Sequence, residues 1–176
     1  MSKTKRGQIW YMDFIIALTL FLLIVFLSFK YMMQDYAFSA RNKNEVLLEA
    51  DRISNSLITE GMPVNWTEEK VYRLGLTTNG AINQSKVEMF RNLTFDDYAN
   101  VKTLLNVKSD FLIYFENKNG NMINFTEGGY IGKSGHNTVS AESISEEVVK
   151  LSRFITYRHD NIAEIIMMNI FVWEEK

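Results

Sequence analysis

The sequence predicts an α+β protein in which a long N-terminal helix packs on a C-terminal antiparallel β-sheet domain. Three observations predict it. No residue from Phe14 to Phe29 is charged, which marks a membrane-crossing or deeply buried helix. Val46, Ala50, Ile53 and Leu57 then recur at helical spacing, with Glu45, Glu49, Asp51, Arg52 and Glu60 covering much of the rest. Further on, apolar and β-branched runs such as DFLIYFE (Asp110–Glu116) are separated by turn residues, as strands are.

The uncharged stretch is 16 residues, about 24 Å of helix against roughly 30 Å of hydrocarbon. Adding Ile9–Met12 and Tyr31–Met33 closes the gap, so the crossing lies at about 9–33, interrupted by Asp13 and Lys30. Trp10, Tyr11 and Tyr31 stand at its ends, where interfacial aromatics belong. Lys3, Lys5 and Arg6 precede it, and this positive bias predicts a cytoplasmic N-terminus. A buried helix of a soluble protein would carry a polar face, which this one lacks. A secretory signal peptide would be followed by a small-x-small cleavage site, but the exit reads FKYMMQDYAF. The expected organisation is a basic cytoplasmic leader (1–7), a helix that crosses the membrane and continues as an amphipathic stalk (8–60), and an extracytoplasmic α+β domain (61–176).

Gly61-Met62-Pro63 ends the stalk, with glycine as a terminal cap and proline unable to continue the helix. Its apolar stripe could pack on the chain's own domain, on neighbouring chains or in a coiled-coil dimer. Beyond it, Val71–Leu76 predicts a short strand and Ser85–Phe90 one or two helical turns. Asp96–Leu105 predicts a helix capped by Thr94, with Tyr98, Val101, Leu104 and Leu105 on one face. Asp110–Glu116 predicts a strand, and Asn117–Gly120 a turn into Met122–Thr126. Val148–Tyr157 and Ile162–Trp173 predict two long strands around Arg158–Asn161.

Several classes of chemistry are excluded or unsupported. The chain has no cysteine, hence no disulfide, thiolate metal site or cysteine nucleophile. A net charge of −2, with no basic block beyond the N-terminus, gives nucleic acid no footing. His136 and His159 belong to no ligand-spaced set and are expected in loops or turns. The stretch EGGYIGKSG invites comparison with a phosphate-binding loop, but Glu127 stands where that pattern needs glycine, and a flexible loop is expected. No GxSxG nucleophile elbow is present, and Asp96-Asp97 fits helix-start acids. Tyr72, Trp66, Phe111, Tyr114, Phe115 and Trp173 are expected to build core and sheet face. The expectation is therefore a protein that is not an enzyme and needs no cofactor or metal. Sequons at Asn65, Asn83, Asn92 and Asn124 all fall in the part expected outside, as glycosylation there would require.

Lys5-Arg6-Gly7-Gln8, placed before the apolar helix, resembles the leader of archaeal type IV pilins, the class III signal peptide. That resemblance implies cleavage between Gly7 and Gln8 by a prepilin-type peptidase on the cytoplasmic side. It also implies a pilin-like fold and a structural role, with the membrane and self or other pilin-like subunits as partners. Many pilins carry an acid at the fifth residue after the cut. Here that residue is Met12, and the acid is Asp13, one position later. Asp13 either pairs with the new amine of a neighbouring subunit or marks the inner membrane boundary. The order GMPVNW, LGL, NQSK, FDDY, LLNV, DFLIYF and FVWEE also resembles uncharacterised membrane-anchored archaeal proteins, and it implies no activity. Besides a pilin-like or pseudopilin-like subunit, an uncleaved single-pass anchor carrying a binding domain and a membrane-bound hydrolase stay open.

Overall fold

The computed structural model describes residues 5–125, 128–138, 140, 148–159 and 162–174, without the side chains of 5–10 and 34–43. The chain divides into two compact units, Met1–Asn42 and Lys43–Lys176. Helix α1 covers Lys5–Leu57. In the first unit, Tyr11–Met33 forms a 23-residue stretch whose most apolar 18 residues have a mean hydropathy of 2.6, none of them buried. Lipid accommodates helices of this kind because their backbone bonds are satisfied internally. This one is long and apolar enough to span a membrane.

The second unit begins with the amphipathic turns of α1. Val46 is 2% exposed, and Ala50, Ile53 and Leu57 are fully buried in the unit's core. The stripe therefore packs on the chain's own domain. Then follow β1 (Thr77–Thr78), β2 (Ala81–Ile82), α2 (Gln84–Asp96), α3 (Tyr98–Leu105), β3 (Asp110–Glu116), β4 (Met122–Ile123), β5 (Ile131–Gly132), β6 (Val148–His159) and β7 (Ile162–Trp173). The sheet runs β1-β2-β6-β7-β3-β4, and β5 also pairs with β3. It is α+β as expected, but mixed rather than antiparallel, because β2 runs parallel to β6 through Ala81–Thr156 and Ile82–Tyr157. No hairpin joins those two strands, so nothing forces them to be antiparallel. The hairpin β6–β7 is antiparallel throughout, from Val148–Trp173 to His159–Ile162.

Alternation along the strands sorts the two faces. Phe111, Ile113 and Phe115 of β3, Ile155 of β6, and Ile166, Met168, Ile170 and Val172 of β7 join α1, α2 and α3 in the main core. Leu112, Tyr114, Phe171 and Trp173 form a second, smaller cluster with Tyr130 and Val148 against it. That second face also carries a polar ladder. Ser152 Oγ donates to Asn169 Oδ1 at 2.6 Å, and Asn169 Nδ2 donates to Glu116 Oε2 at 2.7 Å. Asn169, fully buried, thus has partners on both neighbouring strands.

Four local expectations are corrected. Val71–Leu76 is no strand, because its backbone bonds to the end of α1 instead: Ser56 Oγ donates to the Leu74 carbonyl at 2.9 Å, and the Leu76 amide to that of Leu57 at 2.8 Å. Thr94 is no cap. It lies inside α2 with its hydroxyl on the Phe90 carbonyl at 2.6 Å, and Asp97 caps α3 by accepting from the Asn100 amide at 3.0 Å. The helix at Ser85–Phe90 extends over 13 residues, begun by the Asn83 cap. Tyr72 is 71% exposed, whereas the other five aromatic residues expected inside are buried. One of those, Trp66, donates from Nε1 to the Gly75 carbonyl at 2.8 Å. A Cβ on Gly75 would lie 2.2 Å from the Gly61 nitrogen and 2.4 Å from the Thr59 oxygen, so only glycine fits there.

Candidate functional site

Gly7 and Gln8 lie in the first turns of α1, and their side chains are outside the described set. Asp13 lies on α1 with its side chain exposed. Of the sequons, Asn65, Asn92 and Asn124 are exposed, and Asn83 is half-buried. Asn83 accepts from the Lys86 amide at 3.3 Å and donates to Thr78 Oγ1 at 3.1 Å. Asn92 Nδ2 donates to Glu68 Oε1 at 2.9 Å. Thr126, the third residue of the Asn124 sequon, lies outside the described residues, as do Glu127 and the turn residues Asp160 and Asn161. The described part of the chain does not bring these residues together into one site.

It does bring together charges that periodicity did not single out. Glu49 lies on the buried side of α1, 4% exposed, and accepts from the amides of Lys108 at 2.9 Å and Ser109 at 2.8 Å. Burial alone would raise its carboxyl. Hydrogen bonds from Ser109 and the Lys108 amide, with the Arg52 charge, outweigh that and hold it below the ordinary value. Lys86, 3% exposed, donates to the carbonyls of Glu60 and Thr77, both at 2.8 Å. Burial lowers its ammonium, against the opposing charge of Glu60. Arg153 of β6 reaches α1, donating to Asp51 Oδ1 at 2.6 Å and Ser54 Oγ at 3.0 Å. These groups hold α1 and the loops to the sheet.

Asp110 opens β3 and accepts from two lysines: Lys102 at 3.0 Å and Lys133 at 2.7 Å. Its burial would raise the carboxyl, but the hydrogen bonds and charges of Lys133 and Lys102 prevail and depress it. Lys133 belongs to the glycine-rich segment, and the Lys133 amide donates to the Phe111 carbonyl at 2.9 Å. That segment is no loose loop. Ile131–Gly132 pairs with Leu112–Ile113, and a Cβ on Gly132 would stand 2.1 Å from the Phe111 oxygen. Glycine lets the segment lie directly on β3.

Between this segment and α2 opens a cleft of about 270 Å³. Arg91, Thr94 and Phe95 form its α2 wall, Leu112 contributes from β3, and Gly128 to His136 supply the other side. Phe95 is 78% exposed. The His136 ring sits 5.8 Å from that of Trp173, and its Nδ1 donates to the Ser134 carbonyl at 2.9 Å. His159, expected in a turn, ends β6 and stacks on Tyr157 at 6.0 Å. Among the described residues, no group of three or more His, Asp or Glu side chains is placed to hold a metal ion. The sequence signal for the cleft was the glycine spacing; Arg91 and Phe95 gave none.

No curated protein and no solved structure matches this chain. A match to one family runs from residue 4 to residue 173, through the apolar stretch of α1 and on to the end of β7. Both units thus fall within a single family's bounds, and the chain belongs to the family of unknown function DUF7287.

Proposed function

We propose that the chain is a pilin-like or pseudopilin-like structural subunit, anchored by α1 and carrying its C-terminal domain outside the cell. The observation that carries the proposal is the fully exposed apolar stretch Tyr11–Met33, preceded directly by the Lys5-Arg6-Gly7-Gln8 junction. A stretch with no buried residue gains its stability from lipid or from like helices. Lys3, Lys5 and Arg6 support a cytoplasmic N-terminus. Asp13 supports pairing: an ionisable residue in a membrane helix usually faces a partner, and the amine freed by a cut before Gln8 offers a counter-charge. The partners are then the membrane, a prepilin-type peptidase and like subunits.

Two substitutions test the proposal. Gly7→Val crowds the scissile bond and should leave the precursor uncut. Asp13→Ala should be processed and inserted normally but recovered as dispersed subunits rather than large assemblies. Since that change slightly favours insertion, lost anchoring cannot account for the defect. Wild-type processing and assembly in both variants would refute the proposal. The cleft beside α2 favours a second reading, an uncleaved single-pass anchor for a binding domain. A native chain that retains residues 1–7 would favour it.

A further inference from the structure

From the cleft between α2 and the glycine-rich segment, we infer a binding site for a compact oxyanion group, a phosphate or a carboxylate, with Arg91 as its counter-charge. Arg91 is half-buried in the cleft wall, and among the described residues its guanidinium has no carboxylate or hydrogen-bond partner. A half-buried guanidinium without a protein partner has lost part of its hydration, which a bound anion would replace with charge-assisted hydrogen bonds. Among the described residues, no Asp or Glu lines the cleft to neutralise it. The opposite wall is backbone that a ligand can approach closely: where Gly128 and Gly135 would carry a Cβ there is open space. His136 adds a second polar group. Its Nδ1 must hold a proton to donate to the Ser134 carbonyl, so in the neutral ring Nε2 is an acceptor, suited to a hydroxyl of the ligand rather than to its anionic oxygens.

The segment is also preorganised, which separates a site from a surface dent. Lys133 ties it to Asp110 at 2.7 Å, and β5 pins it to β3. The Thr94 hydroxyl is already used by the Phe90 carbonyl, so Arg91 supplies the recognition on the α2 side. A volume of about 270 Å³ falls just below the usual range for drug-sized ligands. It suits one phosphate or one acidic sugar ring, and exposed Phe95 offers a face at the wall for the apolar side of such a ring. Anion binding at this cleft requires neither leader cleavage nor filament formation.

The test uses the full chain in detergent micelles, titrated with inorganic phosphate and with glucuronate against chloride at matched ionic strength. Calorimetry and the shift in Tm are the readouts. At least one anion should bind saturably and raise Tm. Phosphate alone points to a phosphate-bearing ligand and glucuronate alone to an acidic sugar. Arg91→Gln should weaken that binding by about tenfold or more. Arg73→Gln, which removes an exposed arginine outside the cleft, should leave it unchanged. The unliganded Tm of each variant checks its fold. Saturation by neither anion, or wild-type affinity in folded Arg91→Gln, would overturn the inference.

Discussion

Ile53→Ala should unfold the C-terminal unit far more readily than Leu48→Ala, although both shorten an apolar side chain on the same helix. Ile53 is fully buried in the main core, whereas Leu48 is 63% exposed. Truncating a buried isoleucine removes its packing and leaves a partly unfilled cavity, at a cost of about 2–5 kcal/mol. Truncation on the exposed face should stay within about 0.5 kcal/mol. For a unit of 134 residues (176 − 42), each kcal/mol lowers Tm by about 3 °C. Ile53→Ala should therefore lower it by about 6–15 °C, and Leu48→Ala by less than about 2 °C. The assay is thermal unfolding of Lys43–Lys176, followed by near-ultraviolet circular dichroism. Equal, small shifts in both variants would mean that the stripe does not pack in the main core.

Asp110→Asn should cost about 1–3 kcal/mol, since two ammonium groups lose a buried carboxylate. Because that carboxyl is held below its ordinary 3.8, its stabilisation is complete at neutral pH and drains away as pH falls through the depressed value; the variant should flatten this acid limb in a series of urea melts. Gly75→Ala should prevent stable folding at physiological temperature, because the added methyl meets the Gly61 and Thr59 backbone rather than a movable side chain. Soluble yield and Tm check it, and a wild-type melt would contradict the tight corner.

The long elements were legible because each carries one dominant pattern. The apolar run, the stripe Val46–Ala50–Ile53–Leu57 and the two 12-residue strands each repeat a single period over many residues. What was hidden is local or long-range. Glu49 lies three residues after Val46 and four before Ile53, so it sits on the stripe, yet its charge argued for solvent. Only the unpaired amides of Lys108 and Ser109, 59 and 60 residues away, explain its burial. Lys86 interrupts the apolar face of α2 in the same way, because carbonyls from two distant segments converge on it. Strands of two residues such as β2 and β5 carry no periodicity at all, which is why the parallel pair and the anchored glycine segment were missed. Arg91 and Phe95 fall between the two helices that the sequence predicts, and only the extension of α2 and the approach of Gly128–His136 turn them into a cleft wall.

The mass of the native N-terminal peptide, taken from membrane-extracted protein, decides between a processed subunit and an uncleaved anchor. Processing of the Lys5-Arg6-Gly7-Gln8 junction predicts a first peptide that starts at Gln8. A native chain that still begins at Met1 or Ser2 would contradict it, and α1 would then be an uncleaved anchor.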